Sequence, residues 1–208
     1  MIGSLVLTLP SIAMARPVSY QGGWTVIGET DRQMRSLWVH YTPDPKISIG
    51  MKSEWDDQND ILFNGFQGTW LAKRWFAPDS QANLYVFGSV GLADGVDSNP
   101  GGTRLGGQIG VLADWETRRW FLGYRARAQD FGALDQSITQ AGRIGWAPYE
   151  GKTGDLHTWV MLEVDHRPDN DIAVDTTPLL RFFKGAALFE IGYSLEDNEP
   201  LINFQYRF

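Results

Sequence analysis

The side chains best equipped for chemistry in this sequence are few. His157, Met161, Glu163 and Asp165 recur at even spacing, so an extended strand would project all four from one face. Methionine and histidine suit soft or borderline metals such as copper, and carboxylates suit harder ones. Alternate residues of a strand lie roughly 7 Å apart, so His157 and Met161 cannot close a metal site without neighbouring strands. His40 is a further candidate ligand, and plain packing is the competing role for all three. His166 is the one candidate for hydrolytic catalysis, which needs a serine within hydrogen-bond reach; no serine is evident opposite it. The sequence holds no phosphate-binding loop, no HExxH and no nucleophile elbow. No cofactor is expected.

Composition narrows the classes. The 208 residues include no cysteine, 9 Trp, 7 Tyr, 11 Phe and 23 Gly, with a formal net charge of −7. Without cysteine there is neither a disulfide framework nor a thiolate metal centre. At a pI of about 4.9 no basic stripe is on offer to phosphates, which argues against nucleic acid as a partner. No internal apolar run approaches the length of a membrane-spanning helix. The first fifteen residues, "MIGSLVLTLPSIAMA", have an apolar centre and end in Ala13-Met14-Ala15, the small-x-small pattern of a secretory cleavage site. The basic residues that usually open such a leader are missing, and an apolar first strand is the competing reading. The expectation is an exported chain beginning at Arg16, with residues 16–208 as one domain.

The elements that must position these residues read as strands. Segments near 23–29, 34–42, 46–55, 61–75, 81–92, 104–115, 118–128, 137–148, 156–167, 172–184, 186–195 and 200–208 alternate with turn signals such as "TPDP", "DDQND", "RPDND" and "EDNEP". About twelve strands are predicted, with ten as the alternative. In 118–128, Trp120, Leu122, Tyr124 and Ala126 oppose Arg119, Arg125 and Arg127. The segment 61–75 does not alternate well, and its faces cannot be assigned. A soluble sandwich would alternate too, so alternation alone does not decide the class.

Aromatic position does. With strands running up and down from an N-terminus at the bottom, the bottom ends carry Trp24, Tyr41, Trp75, Trp115, Trp120, Trp146, Phe182 and Phe208. A belt of rings at one level is expected where an apolar band meets lipid headgroups. The last residues sharpen this. In "LINFQYRF", Ile202, Phe204, Tyr206 and Phe208 share one face, and the chain stops on Phe. "INFQYRF" resembles the C-terminal strand of outer-membrane β-barrel proteins of Gram-negative bacteria, in which a terminal Phe and alternating aromatics form the assembly signal. The resemblance implies an all-β, closed, antiparallel up-and-down transmembrane barrel. It further implies outer-membrane lipid and lipopolysaccharide as surroundings, and contact with the barrel-assembly machinery through the last strand. It implies no activity.

This topology sorts the charges. Glu54, Asp56, Asp57, Asp94, Asp97, Asp169 and Asp171 fall toward the top, making an acidic outer mouth that should collect cations or metal ions. Solubility of the loops, or divalent ions shared with lipopolysaccharide, would use the same acids. Arg125, Arg143, Glu163, Asp165, Asp175 and Arg181 fall on the inward phase, with Lys52, Arg104, Asp114, Arg119, Arg127, Glu190 and Arg207. Unpaired charges in a narrow interior are costly, so these should pair, either plugging the barrel or flanking a path. Long loops on top and mostly short turns below are expected. The pairs Asp56-Asp57 and Asp165-His166 look like those of outer-membrane proteases, but only one member of each can face a cleft, and the chain is short for so tall a barrel. The best reading from sequence is a monomeric narrow pore or accessory barrel. A lipid A deacylase or phospholipase and a plugged structural barrel are the alternatives.

Overall fold

The computed structural model describes residues 17–96, 101–152 and 154–208, in which twelve strands form. They are β1 (Trp24–Thr30), β2 (Met34–Asp44), β3 (Ile47–Asp56), β4 (Ile61–Ala77), β5 (Ser80–Gly95), β6 (Thr103–Glu116), β7 (Trp120–Asp130), β8 (Gln136–Trp146), β9 (His157–His166), β10 (Val174–Lys184), β11 (Ala187–Tyr193) and β12 (Pro200–Arg207). Each pairs antiparallel with its neighbours in sequence, and β1 pairs with β12 to close the ring. The barrel is closed, up-and-down and twelve-stranded, each segment read from the sequence yielding one strand. The leader, its cleavage pattern, Arg16 and Asp97 lie outside the described residues.

Side-chain phase follows the pleat. Ile47, Ile49 and Met51 of β3, Val90 and Leu92 of β5, and Leu105 and Ile109 of β6 all point outward and are exposed. Water would not tolerate an apolar wall on this scale. Lipid would, because a closed barrel satisfies every backbone group internally. At the end where β1 begins, Trp24, Trp75, Trp115, Trp120, Trp146 and Phe208 are exposed on the outside, and Trp24 packs on Tyr41 with ring centroids 5.3 Å apart. This is the interfacial girdle that the sequence placed at the bottom.

The closing seam is built by the terminal strand. Trp24 and Phe208 exchange backbone hydrogen bonds of 2.8 and 3.0 Å. Along the same seam, Phe204 lies over Gly28, where an added Cβ would come within 2.1 Å of its ring. A glycine at 28 therefore lets the ring cover the join.

Two expectations need correction. In β4, Ile61, Phe63, Gln67, Thr69 and Leu71 face inward, and the register shifts between Leu71 and Lys73. The segment failed to alternate because its inner face is apolar at both ends, and because a bulge interrupts the phase. The loops also sort less cleanly than expected. Strands β5 to β8 run far into the segments read as long top loops, which leaves connections at 96–102 and 131–135. The most extended connection, 147–156, is at the bottom.

Candidate functional site in the lumen

The inward faces are largely polar from end to end, with three apolar clusters set among the polar residues. Near the top, Phe131 leaves the β7–β8 loop to stack on Phe63, centroids 5.0 Å apart, beside Ile61 and Ala93. Room for it comes from Gly106, where a Cβ would stand 2.5 Å from the Phe131 ring. Near the bottom, residues 17–19 turn back into the barrel. Val18 is buried against Leu71, Tyr85 and Leu112, and the Pro17 carbonyl accepts a 2.6 Å hydrogen bond from Ser48 Oγ. A third cluster, Phe121, Ala147, Trp159, Met161 and Leu179, lines the lower wall between β7 and β10.

Between these layers the charges meet in pairs. On one side Glu54 binds Lys52, and it takes Arg127 from the far wall at 2.9 Å. The Gln108 amide donates to the same carboxylate at 2.8 Å. On the other side Arg143 joins Glu163 at 2.5 Å and Glu190 at 2.9 Å, and Arg181 joins Glu190 at 2.5 Å over the face of Phe121. Asn203 completes the Glu190 carboxylate with a 2.8 Å donation. At the top, Arg32 and Arg167 converge on Asp165 at 3.0 and 3.1 Å, and Arg167 also reaches Asp31 at 2.8 Å. Burial pushes the Asp31 carboxyl upward. Arg167, the Gln33 amide and Arg125 outweigh it and hold Asp31 below its ordinary value of 3.8. Burial pulls Arg167 down, and Asp31 and Asp165 outweigh that to hold it above its ordinary value.

One pair differs. Arg125 of β7 and Glu29 of β1 face each other across the full width of the ring, at 3.6 Å, with side chains 39% and 47% exposed. An ion pair this long and this wet contributes at most about 1 kcal/mol. It stands between two cavities of about 150 and 180 Å³, which share Ile27, Glu29, Asp31, Leu112, Arg125 and Ala141 in their walls. Two chambers of the lumen thus meet at a loose ionic partition.

The residues read from the sequence are distributed as follows. Arg125, Arg143, Glu163, Asp165 and Arg181 all line the chambers. Asp175 is buried apart from them, where Ser194 Oγ (2.6 Å), Thr177 Oγ1 (3.0 Å) and the Glu196 amide (3.2 Å) hold it under the β11–β12 loop. Arg119, expected inside, belongs instead to a bottom turn and meets Glu150 at 3.2 Å, because β7 begins only at Trp120. Of the rim acids, Glu54 is buried within the lumen, and Asp56 faces inward, accepting the Gln58 and Asn59 amides at 3.0 Å. Asp57 pairs with Arg35 at 3.0 Å on the outside, and Asp94 accepts from Thr103 Oγ1. Asp169 and Asp171 are exposed in the β9–β10 connection.

The histidines and Met161 are not brought together. His40 is fully buried on β2 with its ring 4.1 Å from Trp38, His157 lies beside Phe183, and Met161 sits in the lower apolar cluster. Among the described residues no group of three or more His, Cys, Asp or Glu could hold a metal ion. His166 points outward in register with Gln140 and Val174, and neither is a nucleophile. Glu29, Asp31, Arg32 and Arg167, which join the inward ion pairs, are not among the lumen residues read from the sequence. For Glu29 the signal was present: it shares its phase with Thr25 and Ile27 on β1.

No family model matches the chain, and no curated protein does. Among solved structures it is similar to the KdgM porin (9% identity, TM-score 0.49, covering 89% of this chain and 98% of that one). A KdgM porin in complex with disordered oligogalacturonate gives 9% identity and a TM-score of 0.48, covering 89% and 96%. OccAB4 of Acinetobacter baumannii gives 10% and 0.42, covering 88% of this chain and 56% of that one. Likeness at this level says nothing of what this chain carries. The apolar wall, the girdle and the charged lumen define the class: a closed transmembrane β-barrel of the outer-membrane type.

Proposed function

We propose that this barrel is a narrow passive pore, with cations favoured at its outer mouth. The observation that carries the reading is the shared wall of the two chambers, where a half-exposed ion pair at 3.6 Å is the partition. Asp56, Asp57, Asp169 and Asp171 at the outer end give the mouth an acidic bias that raises the local concentration of cations. Asp94 adds to the same bias. The test is planar-bilayer conductance of the refolded barrel under a salt gradient. Discrete, cation-selective steps are expected, and neutralising Asp56, Asp57, Asp169 and Asp171 together should lower the cation preference. Unchanged selectivity would remove the rim from the mechanism.

A second reading is a plugged structural barrel. Val18 and the cross-wall Arg127–Glu54 pair favour it. A folded barrel that stays silent at every voltage would select it.

A further inference from the structure

We propose that the chamber bounded by Ile27, Leu112, Leu188 and Leu201 is a binding site for a small zwitterion with an apolar side group, the chemical class of an aliphatic α-amino acid. The inference rests on the pore reading and names the class of solute that the pore admits.

What sets this chamber apart is a pair of loosely held charges. Arg143 and Arg181 also face this chamber, but their guanidinium groups are held by Glu163 and Glu190 at 2.5–2.9 Å, and their side chains are at most 16% exposed. Arg125 and Glu29 are the loose, hydrated pair. A solute bearing a single positive charge can satisfy Glu29 only by meeting Arg125 beside it, and a single negative charge meets the mirror-image problem. A zwitterion replaces both halves of the pair at once: its carboxylate takes the Arg125 guanidinium and its ammonium takes Glu29. The charge balance of the partition is then unchanged. Leu188 and Leu201 are buried inward-facing side chains, and Ile27 and Leu112 adjoin the partition. They offer an apolar surface next to the charged pair, as small-molecule sites commonly do. At about 150 Å³ the chamber suits a compact solute.

The experiment uses three probes that share one carbon skeleton. L-Leucine carries both charges, 4-methylpentanoate only the carboxylate, and 3-methylbutylamine only the ammonium. Each is added to the conducting barrel in a planar bilayer, and the concentration that halves the ion current is read. Leucine should do so at a concentration about tenfold or more below either analogue, and glycine should need more than leucine. Glu29→Gln and Arg125→Gln should each abolish the leucine advantage. Equal potency of the three probes, or an advantage that survives both substitutions, overturns the proposal and leaves the pore intact. If no current is seen, the pore reading fails by itself. Calorimetric titration of leucine into the refolded barrel then decides the site: heat of binding lost in Arg125→Gln supports it, and no heat refutes it.

Discussion

Glu190 shows how much one inward carboxylate can carry. It receives Arg143, Arg181 and Asn203, and the Arg181 guanidinium also lies over the face of Phe121. Glu190→Ala should destabilise the barrel by about 3–5 kcal/mol, because it strands a buried guanidinium. The urea midpoint of refolded protein measures this. Asp31 governs the outer end and its pH response. A carboxyl held below its ordinary value adds stability above that value and loses it as pH falls through the folded one. The Asp31–Arg167 contact should therefore persist at pH 4 and fail only below 3.8. Hydrogen exchange of residues 167–173 reports it, and Asp31→Asn should show fast exchange at neutral pH. The pairing of inward charges was legible in their phase along each strand. The choice of partners was not, since Arg127 to Glu54 and Arg125 to Glu29 span the ring, and strand phase says nothing of what lies opposite.

Strands were the most legible elements, because a wall between lipid and a polar lumen forces period-two alternation. Legibility failed where the lumen stops being polar. The inner face of β4 is apolar at Ile61 and Phe63 to receive Phe131, and that ring arrives from a loop whose inward fold has no periodic signature. Gly106 is the device that admits it. Gly106→Val should drive Phe131 off the wall at a cost of about 1–3 kcal/mol, and should enlarge the opening at the outer end. An increase in single-channel conductance with a lowered unfolding midpoint is the expected outcome. Gly28 is the corresponding position on the lipid side: Gly28→Val should displace Phe204 and reduce the fraction of barrel that migrates as the compact form in unheated SDS gels.

At the scale of the whole molecule, the lumen is narrowed at three levels: by Phe131 above, by residues 17–19 below and by ion pairs between. The lower constriction is the least expected from sequence, because nothing in "PVSY" marks it as a segment that re-enters a lumen. Val18→Asp would place a carboxylate among Leu71, Tyr85 and Leu112, where an unpaired charge is costly. The segment should leave, and mean conductance should rise while the strands remain. The seam carries a different consequence, one of timing. Strands β2 to β11 find both partners next to them in the chain, whereas β1 must wait for β12. The first strand made is therefore the last to gain its second neighbour, and until Pro200–Arg207 arrives both margins of the sheet present unpaired backbone to any strand nearby. Correct assembly thus depends on keeping the β12-facing edge of β1 unpaired for as long as it takes the rest of the chain to be delivered.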